Sequence, residues 1–246
     1  MKIFVTGGTG YIGSHTVVEL QKNGYDVIIA DNLVNSSMDV LDGIEKISGI
    51  RPEFEEIDLT DGEVTRDFFA RHSDIRAVIH FAALKAVGES VNKPLEYYFN
   101  NLNSLMNVLT CMREFKVPNL VFSSSCTVYG QADVLPVTEK TPRHEAESPY
   151  GNTKVMSEDI IRDLMRVEPD MKALALRYFN PIGAHPTAFI GELPNGLPNN
   201  LIPYLTQTAI GIREQLSVFG DDYNTPDGSP LRDYICLLYT SDAADD

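Results

Sequence analysis

The sequence predicts an α/β fold, a doubly wound parallel sheet, and two observations carry this prediction. Short apolar runs of strand length alternate with helical stretches from the first residues to residue 179, and such alternation is typical of βαβ units. A glycine-rich stretch, residues 7–13, stands between the first run and the first helix. Because crossovers between parallel strands are right-handed, helices cover both faces of such a sheet, and ligands bind at the carboxyl ends of its strands.

Four strands are predicted in the first half of the chain. Lys2–Thr6 is short and apolar, as a buried parallel strand should be, and a helical pattern through Val17, Val18 and Leu20 follows it. The remaining elements are, in order, a strand at Asp26–Asp31, a helix at 38–47, a strand at 54–57, a helix capped by Asp61 and a strand at 77–81.

The second half continues the alternation. Residues 100–115 carry apolar side chains at helical spacing, and the predicted buried stripe consists of Leu102, Leu105, Met106, Leu109 and Met112. A strand at 120–122, a helix that begins at Ser148 and a strand at 173–179 complete the predicted sheet. Residues 181–203 are rich in Pro, Gly and Asn, which predicts a long loop. A helix at 201–212 and a short strand at 217–219 follow it.

Length, charge and cysteine usage limit the function. The chain has 246 residues, 43% of them hydrophobic, enough for one large domain or for one domain and part of another. Its net charge of −15 argues against polyanionic partners. Three isolated cysteines form no CxxC pair, and no apolar run is long enough to cross a bilayer. We therefore expect a cytoplasmic protein that binds no nucleic acid and no membrane.

A Tyr and a Lys four residues apart are the first candidates for chemistry. Ser148 and Pro149 predict a helix start, because Ser caps free N–H groups and Pro suits the first helical position. Tyr150 then lies in the first turn, with Lys154 on the same face. A nearby cation and the positive end of a helix both favour a phenolate, so the pair suits proton transfer to and from an alcohol. Taken alone, such a pair more often arises by chance on a helix surface.

The glycine stretch predicts a dinucleotide site. Gly8, Gly10 and Gly13 fit the dinucleotide fingerprint, and Gly7, Gly10 and Gly13 fit its close variant. Such glycines let the backbone approach a pyrophosphate at the helix N-terminus. Asp31 ends the second strand, where its carboxylate would accept hydrogen bonds from the adenosine ribose and repel a 2′-phosphate. The predicted cofactor is therefore NAD rather than NADP, against the alternative of a tight turn that binds no ligand.

A run of serines follows the fifth strand. Ser125 lies at the carboxyl end of that strand and would pass a proton between a substrate hydroxyl and Tyr150. Without the Tyr and Lys pair, a loop capped by its own serines would be the better explanation. His15 and His80 fall in the first helix and in a buried strand, where packing is the expected role, and we expect no metal site.

These segments resemble the nucleotide-sugar epimerases of the extended short-chain dehydrogenase/reductase family. The resemblance rests on residues 6–13, 31–33, 81–90, 123–130, 148–154 and 177–181, and it extends over residues 1 to about 235. It implies an NAD-binding Rossmann domain at residues 1–180, a partial substrate-binding lobe at 181–235 and, for the full-length protein, a homodimer.

The resemblance also implies a role for each matching residue. The implied catalytic residues are Ser125, Tyr150 and Lys154. The implied NAD contacts are Gly7, Gly10, Tyr11, Ile12, Gly13, Asp31, Asn32, Leu33, Asn35, Ser36, Asp58, Leu59, Phe81, Ala82, Ala83, Lys85, Asn100, Ser125, Tyr150, Lys154 and Phe179. The implied contacts with a UDP-sugar are Ser125, Tyr150, Asn180, Asn200, Leu201, Ser217, Val218, Phe219 and Arg232. Arg232 would pair with the diphosphate.

The implied reaction interconverts UDP-glucose and UDP-galactose, in galactose metabolism, without net redox change. Tyr150 takes the proton of the sugar 4-OH, directly or through Ser125, while NAD takes hydride from C4 and returns it after the 4-keto sugar has turned round. Lys154 would bind the nicotinamide ribose and lower the pKa of the phenol. Related dehydratases and decarboxylases carry an acidic residue just after the position of Ser125. This chain has Cys126 and Thr127 there, which favours epimerisation.

The last residues depart from the family. Residues 232–235 match it but residues 236–246 do not, and we interpret these as a non-native tail on a C-terminally truncated chain. We therefore expect weak NAD binding and little or no turnover from the chain as it stands. The alternatives are an inactive fragment or non-catalytic NAD-binding protein of the same fold, and a 4-epimerase of another UDP-sugar such as UDP-N-acetylglucosamine.

Overall fold

A six-stranded parallel sheet forms the centre of the computed structural model, which describes residues 1–218 and 220–238. The strands are β1 (Lys2–Thr6), β2 (Asp26–Asp31), β3 (Glu53–Glu56), β4 (Ile75–His80), β5 (Asn119–Ser123) and β6 (Lys172–Leu176). They lie in the order β3-β2-β1-β4-β5-β6, which confirms the predicted doubly wound sheet. A separate parallel pair consists of β7 (Asn180–Ile182) and β8 (Tyr234–Cys236).

Helices follow each of the strands β1 to β5, and another lies between β7 and β8. They are α1 (Tyr11–Lys22), α2 (Asp39–Ser48), α3 (Gly62–Arg71), α4 (Val87–Asn92), α5 (Pro94–Glu114), α6 (Pro149–Val167) and α7 (Leu201–Ala209), with a 3-10 helix at Cys126–Tyr129. Both predicted caps are present. The Asp61 carboxylate accepts from the first N–H groups of α3, and the Ser148 hydroxyl accepts from the backbone N–H of Gly151 in α6.

The sheet buries an apolar layer on each face. Phe4 of β1 points to one face and its neighbours Ile3 and Val5 to the other. On the Phe4 side the sheet packs against α3, α5 and α6 through Phe68, Phe69, Leu105, Val108, Met112 and Ile161. On the Val5 side it packs against α1 and α2 through Val17, Val18, Leu41 and Ile44. Each layer removes apolar surface from water, which stabilises the fold by roughly 25 cal/mol per Å².

Several predicted boundaries differ from the structure. The helix predicted from residue 100 begins at Pro94, which suits a first helical position, and Met106 of its predicted buried stripe is 41% exposed. α4, β7 and β8 were not predicted, because elements of six or three residues show too little periodicity. The strand predicted at 173–179 ends at Leu176, and the predicted loop begins with two residues of β7. Residues 217–218 form no strand, and Phe219 lies outside the described residues. Of the predicted non-native tail, Cys236 pairs within β8, while 239–246 also lie outside them.

Residues 183–200 run back over α1 and α2. The Tyr11 hydroxyl donates to the carbonyl oxygen of Gly183 at 2.5 Å, and the backbone N–H of His185 donates to Nε2 of His15 at 3.1 Å. Ile190 is 4% exposed and belongs to the apolar layer of α1 and α2. Part of the segment assigned to a substrate lobe therefore packs on the cofactor-binding domain, and the boundary at residue 180 stays a prediction.

No helix within the described part of the chain combines the length and the apolar character needed to cross a bilayer.

Candidate active site

The carboxyl ends of the parallel strands place the predicted residues along one edge of the sheet. The glycine turn follows β1, Asp31 ends β2, Phe81 follows β4 and Ser125 follows β5. The strand order reverses between β1 and β4, and doubly wound sheets bind ligands at such a switch point.

The turn after β1 has no room for side chains. A Cβ at Gly7 would lie 2.8 Å from the amide nitrogen of Ala82, and a Cβ at Gly13 would lie 2.2 Å from the carbonyl oxygen of Gly7. Gly7 has a φ of +66°, in the left-handed region that glycine adopts without strain. α1 begins at Tyr11 with no side chain capping its first N–H groups. Backbone donors at the positive end of this helix therefore fit a pyrophosphate.

Asp31 joins the glycine turn to the loop after β2. Its Oδ2 accepts from the backbone N–H of Thr9 at 3.3 Å. Its Oδ1 accepts from the backbone N–H of Leu33 at 3.0 Å and from the Ser36 hydroxyl at 3.3 Å. An ionised carboxylate has about four lone-pair sites, so Asp31 keeps capacity for ribose hydroxyls. The residues present thus fit the adenosine half of NAD.

We expect Asp31→Asn to weaken NAD binding about tenfold and to narrow the preference for NAD over NADP. The neutral amide no longer repels a 2′-phosphate. Titration calorimetry with both cofactors measures the two dissociation constants. Asp26→Asn is the matched control, because Asp26 is exposed at the amino end of the same strand. An unchanged ratio of the two constants in Asp31→Asn would contradict the assignment.

Buried polar contacts hold the loop after β4. The Thr6 hydroxyl lies 2.9 Å from Nδ1 of His80 and accepts from the backbone N–H of Ala82 at 3.2 Å. The Asn101 side chain bonds both backbone groups of Leu84, at 2.8 and 3.0 Å, and donates to the Thr153 hydroxyl at 3.2 Å. Burial, with the nearby charge of Lys154, lowers the pKa of His80 to about 3, so this imidazole is neutral.

The other predicted cofactor contacts lie on loops that follow the strands and on α1 and α5. Tyr11 and Ile12 open α1, Ala83 and Lys85 follow β4, Asn100 lies on α5 and Phe179 follows β6; the loops after β2 and β3 hold Asn32, Leu33, Asn35, Ser36, Asp58 and Leu59. Leu59 is 5% exposed within the core. Lys85 pairs with Glu192 at 3.3 Å.

Ser125, Tyr150 and Lys154 come together between α6 and the end of β5. Lys154 is 4% exposed, and its Nζ donates to the carbonyl oxygen of Ser123 at 2.8 Å and lies 5.7 Å from the centre of the Tyr150 ring. The Ser125 hydroxyl accepts from the backbone N–H of Thr127 at 3.2 Å and lies close enough to the Tyr150 phenol to lower its pKa. All three residues predicted as catalytic therefore share one site.

Burial dominates the acid–base properties of the pair. It raises the pKa of Tyr150 to about 12, although the hydrogen bond with Ser125 lowers it in part. Burial also lowers the pKa of Lys154 to about 8. The sequence predicted a lowered phenol pKa, and for the chain alone that direction is wrong, because loss of water disfavours the phenolate. A further positive charge is needed to ionise Tyr150 near neutral pH.

The lowered pKa of Lys154 predicts a pH-dependent stability. Below pH 8 the charged ammonium destabilises the folded state, and this penalty falls as pH rises toward the unfolded value of 10.5. We expect the wild type to gain about 2 kcal/mol relative to Lys154→Met between about pH 7.5 and about pH 9.5. Denaturant unfolding of the cofactor-free chain measures the difference. If the free energies of unfolding of the two proteins change in parallel with pH, Lys154 is not desolvated.

An open cleft of about 560 Å³ lies beside two of the predicted substrate contacts, because Asn180 and Arg232 are the chain neighbours of its lining residues Phe179 and Asp233. It is lined by Leu135, Pro136, Val137, Phe179 and Asp233. Asn180 donates twice to the carbonyl oxygen of Asp233, from its backbone at 3.2 Å and from its side chain at 2.8 Å. Burial raises the pKa of the Cys126 thiol, and the charges of Asp233 and Arg232 also act on it.

The remaining predicted substrate contacts are more peripheral. Asn200 stands at the N-cap of α7 and donates to Glu192 at 2.5 Å, and Leu201 opens that helix. Ser217 and Val218 lie in an exposed segment without regular structure. Sequence reasoning missed two buried polar residues beside the site, Asn101 and Glu158. The position of Glu158, four residues after Lys154, was the available signal.

Fold and site together define a class of protein: a doubly wound α/β protein whose sheet edge fits a dinucleotide beside a group of Ser, Tyr and Lys side chains. The chain belongs to the NAD dependent epimerase/dehydratase family, whose model matches residues 3–245.

Named relatives are similar over nearly the whole chain. The bifunctional protein GAL10 of Pachysolen tannophilus is 54% identical over 240 residues, which are 96% of this chain and 34% of that protein. The UDP-glucose 4-epimerase of Bacillus subtilis (strain 168) is 53% identical over 238 residues, 97% of this chain and 70% of that one. The structure of UDP-glucose 4-epimerase from Bifidobacterium longum in complex with NAD+ and UDP has a TM-score of 0.95 at 45% identity, and covers 100% of this chain and 73% of that chain. The chain thus spans about a third of the bifunctional relative and about 70% of the other two.

Proposed function

We propose that the chain carries the catalytic site of a UDP-glucose 4-epimerase, which interconverts UDP-glucose and UDP-galactose by inverting C4. The observation that carries this proposal is the group of Ser125, Tyr150 and Lys154 at the edge where the glycine turn and Asp31 also lie. The similarity to the Bacillus subtilis and Bifidobacterium longum enzymes supports it.

Each residue has a defined part in the proposed reaction. Tyr150 removes the proton of the sugar 4-OH and returns it in the second half, directly or through the Ser125 hydroxyl. Lys154 holds the site through Ser123 and would bind the nicotinamide ribose. NAD, when bound, supplies the hydride acceptor and donor, and its oxidised ring carries the positive charge that Tyr150 requires. Arg232 would hold the diphosphate while the 4-keto sugar turns.

The residues beside Ser125 favour epimerisation over elimination or decarboxylation. Cys126 and Thr127 follow it in the 3-10 helix, and neither side chain is a carboxylic acid. Burial raises the pKa of Cys126, so its thiol is neutral and a poor acid–base group near neutral pH. The site therefore holds one proton-transfer centre, Tyr150 with Ser125, which suits oxidation and re-reduction of one carbon.

Conversion of UDP-galactose by the purified chain tests the proposal. UDP-glucose formed is measured with a coupled dehydrogenase, and absorbance of reduced cofactor is followed after addition of sugar nucleotide. The same assay tests the expectation, drawn from the sequence, that this chain shows little or no turnover. A chain that binds NAD but neither converts UDP-galactose nor has its cofactor reduced by it would contradict the proposal and favour the non-catalytic alternative. UDP-N-acetylgalactosamine in parallel tests the other sugar.

A homodimer and a cytoplasmic location belong to the same proposal. Apolar side chains of α5 are exposed at helical spacing, with Leu95 80%, Phe99 62% and Met106 41% exposed. Met156 of the adjacent α6 is also exposed. A stripe of this kind supports a helix-packing interface with a second copy. Cys111, Cys126 and Cys236 are free thiols, which supports a reducing compartment.

A further inference from the structure

One face of α6 meets three consecutive residues at the end of β5. Tyr150, Lys154 and Glu158 are spaced four residues apart and so share a face. Tyr150 lies beside the Ser125 hydroxyl, which lowers the pKa of its phenol, and Lys154 donates to the Ser123 carbonyl oxygen. Glu158, which has no part in the proposed chemistry, bonds the hydroxyl of the serine between them, Ser124, at 2.5 Å.

The Glu158 carboxylate is buried and fully partnered. Glu158 is 8% exposed. Arg177 donates two hydrogen bonds to its carboxylate, from Nε to Oε1 at 2.8 Å and from Nη2 to Oε2 at 2.6 Å. Arg143 lies 3.7 Å from Oε2. Burial alone would raise the pKa of Glu158, but the hydrogen bonds from Arg177 and Ser124 and the two arginine charges hold it below its usual value. The carboxylate is therefore ionised, and its bond to Ser124 is charge-assisted.

We call Ser124, Glu158 and Arg177 the Glu158 network. It connects three elements near the catalytic group: Ser124 follows β5, Glu158 lies on α6 and Arg177 follows β6. Arg177 follows β6 and stacks on the ring of Tyr129, at 4.9 Å, at the end of the 3-10 helix that Ser125 caps. The backbone N–H of Cys126 donates to the carbonyl oxygen of Tyr178, at 3.0 Å, from the residue next to Arg177.

The chain itself explains how the network acts on Ser125. Ser125 directly follows Ser124 and has an extended backbone, with φ −157° and ψ 151°. The bond from Ser124 to Glu158 therefore restricts rotation of the backbone that also carries the Ser125 side chain. A bidentate arginine holds the carboxylate in one plane, which an apolar contact would not do.

We propose that the Glu158 network is a positioning device that holds the Ser125 hydroxyl on the Tyr150 phenol. Its effect on turnover rests on the proposed function, whereas its effect on the ionisation of Tyr150 does not. When the network is broken, Ser125 spends less time on the phenol, the phenolate loses a hydrogen bond, and Tyr150 ionises at a higher pH.

Titration of the Tyr150 phenolate tests the proposal. The near-ultraviolet phenolate absorbance of the NAD-loaded chain is recorded against pH, and the same curve for Tyr150→Phe is subtracted to isolate Tyr150. We expect Ser124→Ala to shift the midpoint upward by about one pH unit, with about a tenfold lower kcat and an unchanged KM for UDP-galactose. Ser124→Ala leaves the ion pair of Glu158 with Arg177 in place, so it should fold.

Two further variants separate positioning from stability. Ser157→Ala is the matched control, because Ser157 is buried on the same helix and, among the described residues, has no hydrogen bond to the network; its midpoint should equal that of the wild type. Glu158→Gln should shift the midpoint in the same direction as Ser124→Ala. If Glu158→Gln fails to fold, Ser124→Ala alone decides.

An unchanged midpoint in Ser124→Ala, or an equal shift in Ser157→Ala, would overturn the proposal. The titration needs no turnover. A chain without epimerase activity that still shows the shift in Ser124→Ala would contradict the proposed function and support the positioning role.

Discussion

Tyr150→Phe should lower kcat for UDP-galactose by about 10³-fold or more while NAD remains bound. The substitution removes one oxygen and keeps the ring, whose centre lies 5.7 Å from the Nζ of Lys154. No other hydroxyl takes its place, because Ser125 is an alcohol whose proton has to go to a base. The fold should persist, because Phe keeps the ring and nearly the same volume.

Turnover and cofactor binding measured on the same preparation check this result. Tyr98→Phe is the matched control, because the Tyr98 hydroxyl also contacts α6, accepting from Asn152 at 2.8 Å, but lies outside the catalytic group. We expect the control to keep most of its activity. Near-normal turnover by Tyr150→Phe would contradict the assignment of Tyr150 as the proton-transfer residue. Loss of NAD binding would show that the phenol oxygen is needed to form the cofactor site.

Gly13→Ala should abolish NAD binding and lower the free energy of unfolding by about 3 kcal/mol or more. The new methyl would lie 2.2 Å from the carbonyl oxygen of Gly7 and 2.8 Å from the Cα of Gly8. Both atoms belong to the backbone, so no side chain is free to move aside. The start of α1 must shift away from β1, and with it the N–H groups that face the pyrophosphate.

Denaturant unfolding and NAD titration measure the two effects of Gly13→Ala. Gly88→Ala in α4 is the control, because a Cβ there meets no atom within 4 Å. It should leave binding unchanged and stabilise α4 slightly, since Ala is the better helix former. A Gly13→Ala chain that binds NAD with wild-type affinity would show that the turn does not hold the pyrophosphate.

The sheet was predictable because its signals are local. Each strand is a short apolar run, and Asp61 and Ser148 mark helix starts by a hydroxyl or carboxylate that reaches N–H groups two or three residues on. The spacing of Tyr150 and Lys154 placed both on one helix face. Such features depend on a few neighbouring residues, so one sequence suffices to find them.

Other features were hidden because their partners are far apart in the chain. Ile190 lies in an apparently irregular loop, yet it is buried against α1 and α2. Asn101 gave no motif, because its partners are Leu84, 17 residues before it, and Thr153, 52 residues after it. The direction of the Tyr150 pKa was also missed, because desolvation depends on everything that packs around the ring.

The sequence by itself determined the sheet, the glycine turn, the acceptor at Asp31 and the chemical types of the catalytic group. Only the tertiary structure decided how that group is held. It brought Ser124 and Arg177 onto Glu158 from two strands and buried Lys154 until its pKa fell to about 8. Burial and the meeting of distant strands are properties of the packed chain, because they depend on which surfaces exclude water. The spacing of residues along the sequence does not predict them.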